Sequence, residues 1–119
     1  MVREKPHKKL RLWQKVIDFV VGIYGVTQQF PREEEFGLKS QLRRAAVSVP
    51  SNISEGLSRK TAKDKLHFLN MAQSSLSEID AQLEISDRLK FIEPNLVERT
   101  YESLTEVEMM LVGLMKSIR

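Results

Sequence analysis

The chain contains no cysteine at all. Disulfide staples, cysteine-ligated zinc, iron–sulfur clusters and thiol nucleophiles are therefore excluded, and an intracellular setting is weakly favoured. Histidine is nearly as scarce, with His7 and His67 alone. No H-x-x-x-H or H-E-x-x-H spacing exists from which a metal site is ordinarily built. Only five glycines are scattered through 119 residues, too few and too dispersed for a phosphate-cradling loop. Ser48, Ser51, Ser54, Ser58, Ser74, Ser75 and Ser77 fall in no G-x-S-x-G elbow and beside no evident base. Glu78, Glu84, Glu98, Glu102 and Glu106 lack the E-x-x-H partner that a carboxylate di-metal bundle requires. The expectation is a non-enzymatic protein with no catalytic residue, no metal and no cofactor.

Long apolar runs are missing as well. Val16 to Val26 is apolar-rich, but Asp18, Gly22, Tyr24 and Gly25 interrupt it well short of a membrane span. The basic amino terminus is not followed by an apolar stretch of signal-peptide type. A soluble, cytoplasmic protein without membrane contact is expected.

Charge is plentiful, at 29% of residues against 41% hydrophobic, which argues against wholesale disorder. The formal net charge is +3, and its distribution says more than its sum. Residues 1–11 carry five Lys/Arg against Glu4, and residues 39–65 carry seven against Glu55 and Asp64. From Glu78 to Glu108 the sign reverses, with nine acids against Arg88, Lys90 and Arg99. Such polarity suits either an anionic polymer at one end or subunits docking positive to negative.

Hydrophobic periodicity predicts one domain of four helices behind a basic, flexible leader at residues 1–9. The bundle then covers residues 10–119, with helices at about 10–29, 34–56, 61–89 and 93–118. The first carries the stripe Trp13, Val16, Val20, Ile23 and Thr27, and Pro31 closes it. The second carries Leu38, Leu42, Ala45, Val49 and Ile53 and continues its period past Pro50, which favours a kinked helix over a break. Gly56 is expected to end it. Thr61 with Asp64 caps the third, whose stripe is Leu66, Leu69, Ala72, Leu76, Ile79 and Leu83. Pro94 opens the fourth, with Val97, Leu104, Val107, Leu111, Leu114 and Ile118. Short connections imply antiparallel neighbours, hence an all-α up-down-up-down bundle. Ile17, Phe19, Met71, Ile85, Met109, Met110, Val112 and Met115 lie off these stripes. They belong either to a wide core face or to a second face buried between subunits.

The candidate nucleic-acid contacts are the basic residues. Arg3, Lys5, Lys8, Lys9 and Arg11 make an electrostatic arm, and Arg59, Lys60, Lys63 and Lys65 a second cluster at the start of the third helix. Arg43 and Arg44 either present fork-shaped donors to phosphate or pair with Glu55 and the acids of later helices. Asn52 is placed to serve backbone groups released by Pro50.

Leu12-Trp13-Gln14, Tyr24 with Phe30-Pro31, Glu35 with Gly37-Leu38, and above all the segment Gln41 to Gly56 resemble a known bacterial family. It is the family of four-helix-bundle proteins encoded in intervening sequences of the 23S ribosomal RNA gene. Phe68-Leu69, Ala72, Ser75-Leu76 and Glu78 continue the likeness. By this resemblance Arg43, Arg44, Asn52, Glu55 and Gly56 match the family's signature positions, and Trp13, Pro31, Pro50, Asn52, Glu55 and Gly56 make up a structural signature. The resemblance implies an antiparallel bundle assembled as a homopentamer, similar in fold to the accessory variability proteins of diversity-generating retroelements. With the charge pattern, it leads to the expectation of an oligomeric scaffold for structured RNA or a ribonucleoprotein. A protein–protein scaffold without direct nucleic-acid binding is the alternative.

Overall fold

The computed structural model describes residues 3–118, the side chain of Lys9 excepted. A short 3-10 turn at Pro6–Lys9 precedes four helices: α1 (Arg11–Thr27), α2 (Leu38–Leu57), α3 (Ala62–Arg88) and α4 (Pro94–Ser117). Each helix packs against its neighbours in a ring, α1 on α2, α2 on α3, α3 on α4 and α4 back on α1. Cross-helix partners run in opposite senses, as with Ser48 opposite Ser75 and Gln41 opposite Gln82. The fold is thus an up-down-up-down bundle. Among the described residues no helix is long and apolar enough to cross a membrane.

Every helix contributes a buried stripe to one core. Leu42, Ala45, Ala46, Val49 and Ile53 come from α2, and Leu69, Ala72, Leu76, Ile79 and Leu83 from α3. Leu104, Val107 and Leu111 complete it from α4. On α1 the core face is rotated from the expected one. Leu12, Val16, Phe19, Ile23 and Val26 are buried, whereas Trp13 and Val20 only pack against the edge. At the far end Phe30 and Phe91 meet with ring centroids 5.5 Å apart and tie the two loops there together.

The second helix begins later than expected, at Leu38 rather than near Glu34. Arg32–Glu34 form a 3-10 turn instead, and the Glu34 carboxylate accepts from the Leu38 amide at 2.9 Å. Glu34 is therefore a cap, standing outside the helix whose positive end it serves. Gly37 makes room for it, since a Cβ there would lie 2.6 Å from the Glu34 Oε1. Further on, α2 runs unbroken through the buried Pro50 to Leu57. Proline leaves the Ala46 carbonyl without its helical donor. Asn52 does not repair that group; its amide donates to the Ser48 carbonyl at 2.9 Å.

Gly56 does not terminate α2 either. It lies inside the helix, buried, where a Cβ would meet the Lys65 carbonyl oxygen at 3.0 Å and the Phe68 Cβ at 3.2 Å. Its missing side chain lets α2 and α3 touch. Thr61 caps α3 by accepting from the Asp64 amide at 3.1 Å. At the other end of α3, Lys90 takes φ 63°. The amide of Phe91 donates to Ser86 O at 2.9 Å and that of Lys90 to Asp87 O at 2.9 Å, the bond pair of a Schellman ending. A left-handed residue with a Cβ is strained, so Lys90→Gly is expected to add about 1 kcal/mol of stability. Thermal unfolding checks this; an unchanged or lower Tm counts against the strain.

Candidate nucleic-acid interface

Antiparallel packing brings to one end of the bundle the start of α1, the end of α2 and the start of α3. The basic leader and the basic stretch 59–65 lie there together. The leader is folded back on the helices. Lys8 Nζ donates to Arg3 O at 2.7 Å, and Gln14 Nε2 of α1 donates to Lys8 O at 2.9 Å. The His7 ring meets Trp13 edge-on at 4.7 Å. Between leader and α2 run two clefts, of about 410 Å³ and about 530 Å³, that share Lys5, His7, Ser51 and Ser54.

The expected contact residues separate into distinct roles. Arg3, Lys5 and Lys8 line one of these clefts, while the Lys9 side chain lies outside the described residues. Arg11 faces the acidic flank instead, sharing a groove with Glu102, Glu106 and Met109 of α4. Lys60 and Lys63 are exposed and make no ion pair or side-chain hydrogen bond among the described residues. Arg59 pairs with Glu55 at 3.4 Å and lies 4.6 Å over the Phe68 ring. Lys65 Nζ donates to the Leu57 carbonyl at 3.2 Å, holding the α2–α3 turn.

Arg43 and Arg44 part company. Arg43 Nε donates to the buried Thr27 hydroxyl at 2.8 Å, and Nη2 to the Tyr24 carbonyl at 3.1 Å. Its guanidinium lies 4.4 Å over the Tyr24 ring. A cation at the last carbonyls of a helix complements the negative end of the dipole, so Arg43 fastens the end of α1 to α2. Arg43→Met is expected to cost about 1.5 kcal/mol by removing two charge-assisted hydrogen bonds and the stacking on Tyr24. It should leave the salt dependence of any polyanion binding unaltered. Urea unfolding combined with a binding titration separates these; a binding loss without a stability loss would contradict the assignment.

Arg44 is exposed and lines a groove of about 560 Å³ between α2 and α3, with Gln41, Ser48, Asn52, Ser75 and Glu78 among its other walls. Along the groove Ser48 and Ser75 hydroxyls bond at 2.6 Å, and Gln82 Nε2 donates to Glu78 Oε2 at 3.1 Å. Glu55, paired with Arg59, meets neither arginine of α2. The serines of α2 have a placement that a search of the sequence for nucleophiles misses. Ser51, Ser54 and Ser58 recur at three- and four-residue steps, and that spacing is the signal for one hydroxyl-bearing face.

The opposite charge gathers on α3 and α4. Burial raises the Tyr101 pKa, and Asp80, Glu84 and Asp87 push it further. Glu108 is likewise raised, by burial first and by Asp80 second. Lys15 of α1 meets this flank through Glu106 at 3.2 Å. Among the described residues no group of three or more His, Cys, Asp or Glu side chains is placed to hold a metal.

Basic groups collect at one end, acids on one flank, and the core between them is filled with aliphatic side chains. That arrangement defines a small helical-bundle module whose chemistry lies on its outer surface. The chain belongs to the 23S rRNA-intervening sequence protein family, whose profile matches residues 8–113. It is also similar to a protein with unknown function from the S23 ribosomal protein family of Bacteroides thetaiotaomicron VPI-5482, known from a crystal structure. The two share 25% identity at a TM-score of 0.81, over 88% of this chain and 95% of the other. No curated protein matches.

Proposed function

We propose that the protein is a non-enzymatic, homo-oligomeric scaffold, working in the cytoplasm, that holds structured RNA by phosphate contacts from its basic end. The observation that carries this reading is the convergence of the leader with Lys60 and Lys63 at one end of the bundle. Like charges gathered without a carboxylate partner among the described residues raise the local potential and attract a polyanion. The pentameric assembly that the family resemblance implies multiplies each weak contact by the number of subunits. Support for assembly comes from apolar side chains left in the open, among them Val21 at 66%, Phe36 at 94% and Met109 at 70% exposure. The same side chains favour the second reading, a protein–protein scaffold without nucleic acid.

The test is a titration of nucleic-acid-free protein against structured RNA and length-matched duplex DNA across a salt series, with sedimentation to weigh the assembly. Micromolar or tighter RNA binding at about 0.15 M salt, falling steeply as salt rises, is expected. A stable oligomer with no binding to either polymer would overturn the RNA reading and leave the protein–protein one. A monomer would overturn the scaffold itself.

A further inference from the structure

The leader carries a cluster of charge that its own surroundings leave unbalanced. In the larger of the two leader clefts Arg3, Lys5 and Lys8 stand together with His7, Trp13, Pro50, Ser51 and Ser54, and no carboxylate among the described residues lines it. Mutual repulsion of three cations opposes that closeness, and a bound counter-charge relieves it. The smaller cleft, on the other side of Lys5 and His7, has Glu55 in its wall. That carboxylate is already engaged by Arg59 at 3.4 Å. Hydroxyl donors complete the setting: Ser51 Oγ bonds Val47 O at 3.0 Å, while Ser54 Oγ makes no hydrogen bond among the described residues.

His7 stands between the two clefts and is unfinished. Its Nε2 is shut off from solvent with no hydrogen-bond partner. Burial foremost, then Lys8 and Lys5, lowers its pKa below the ordinary histidine value. The charged groups around the ring are Arg3, Lys5 and Lys8 of the leader and Glu55 of α2, while α1 supplies Trp13.

We infer that the space between the leader and the Ser51–Ser54 face of α2 is an anion-binding site for a tetrahedral oxyanion of the phosphate type. Lys5, Lys8 and Arg3 supply the charge and Ser54 a free hydroxyl. His7 becomes a further donor when it is protonated. The inference deepens the RNA-scaffold reading by naming where one phosphate would be held, but the site itself requires only the anion. The direction of its pH dependence follows from linkage. Empty, the site disfavours the charged His7 ring, so acidification works against the seated leader. An anion beside the ring favours the imidazolium, so binding takes up a proton and tightens as pH falls through the ordinary histidine range.

The molecule carries a single tryptophan, Trp13, and the His7 ring rests on it, so its fluorescence reports the site in the full chain. Sulfate is the probe, because its charge is unchanged across the histidine range; chloride keeps ionic strength constant. Saturable change of Trp13 emission is expected, with half-saturation about threefold lower at about pH 5.5 than at about pH 7.5. His7→Gln should abolish that pH ratio. Lys5→Gln with Lys8→Gln should weaken sulfate about fivefold at both pH values. Ser54→Ala, which breaks no internal bond, should weaken it without loss of fold.

A response to sulfate no different from that to chloride overturns the site, as does a pH ratio that survives His7→Gln. Competition by a 5′-phosphorylated oligoribonucleotide but not by its 5′-hydroxyl form assigns the site to terminal phosphate; competition by both assigns it to backbone phosphate. RNA binding that persists beside an absent sulfate response refutes this inference and leaves the scaffold reading standing. A sulfate response without RNA binding does the reverse.

Discussion

Gly56→Val is expected to cost about 3 kcal/mol of folding stability, among the largest effects of a single substitution in this chain. The reason is where α2 meets α3. A Cβ at position 56 would lie 3.0 Å from the Lys65 carbonyl oxygen, 3.2 Å from the Phe68 Cβ and 3.4 Å from the Leu69 Cγ. The first two are fixed to the α3 backbone, so no rotamer change relieves them. Valine adds two methyl groups to the same space, and the helices must separate where Leu69 is fully buried. Alanine is the informative control. It gains about 1 kcal/mol of helix propensity over glycine, and the tight contact offsets that gain, so a change of at most about 1 kcal/mol is expected. Urea unfolding with an unchanged m value would measure both. A valine variant within about 0.5 kcal/mol of the parent would show that α3 yields easily here, and close approach would no longer explain Gly56.

That role was not legible in the sequence, where a glycine late in a helical pattern reads as a terminator. Only the partner helix shows what it is for. The all-α class and the bundle architecture were legible, because α2, α3 and α4 each carry apolar residues on one arc. On α1 the arc is too wide to centre. Ile17, Val20, Val21 and Tyr24 extend it beyond the core face, so periodicity alone favoured Trp13 and Val20 over the buried Leu12, Phe19 and Val26. The start of α2 is not legible because Glu34 acts from a 3-10 turn outside the helix, and helix ends are the part of a pattern that sequence places least well. Charge behaved similarly. The leader reads as one basic run, yet the fold sends Arg11 to the acids of α4 and keeps Arg3, Lys5 and Lys8 at the end. Arg43 was open between binding and structure because its hydroxyl partner, Thr27, is 16 residues away and meets it only through antiparallel packing.

The same sorting decides which cations should matter to RNA. Replacing Lys5, Lys8, Lys60 and Lys63 together by glutamine is expected to weaken structured-RNA binding about a hundredfold at about 0.15 M salt. The slope of log affinity against log salt should become shallower by about 3, because a phosphate that no lysine neutralises keeps its condensed counterions. These four are chosen for what they do not do. Lys60 and Lys63 have no partner among the described residues. Lys8 Nζ bonds only Arg3 O, within the leader itself, and Lys5 ties down no helix. Arg59 and Lys65, by contrast, hold Glu55, Phe68 and Leu57 in place. Neutralising those two would mix a packing defect into the binding measurement. Surface lysines contribute little to folding, so the quadruple variant should unfold near the parent midpoint and sediment as the same assembly. Under those two conditions a weakened affinity and a shallower slope assign binding to the basic end. An affinity and slope equal to the parent's would move RNA recognition to another surface, with the exposed Arg44 in the α2–α3 groove the next residue to neutralise.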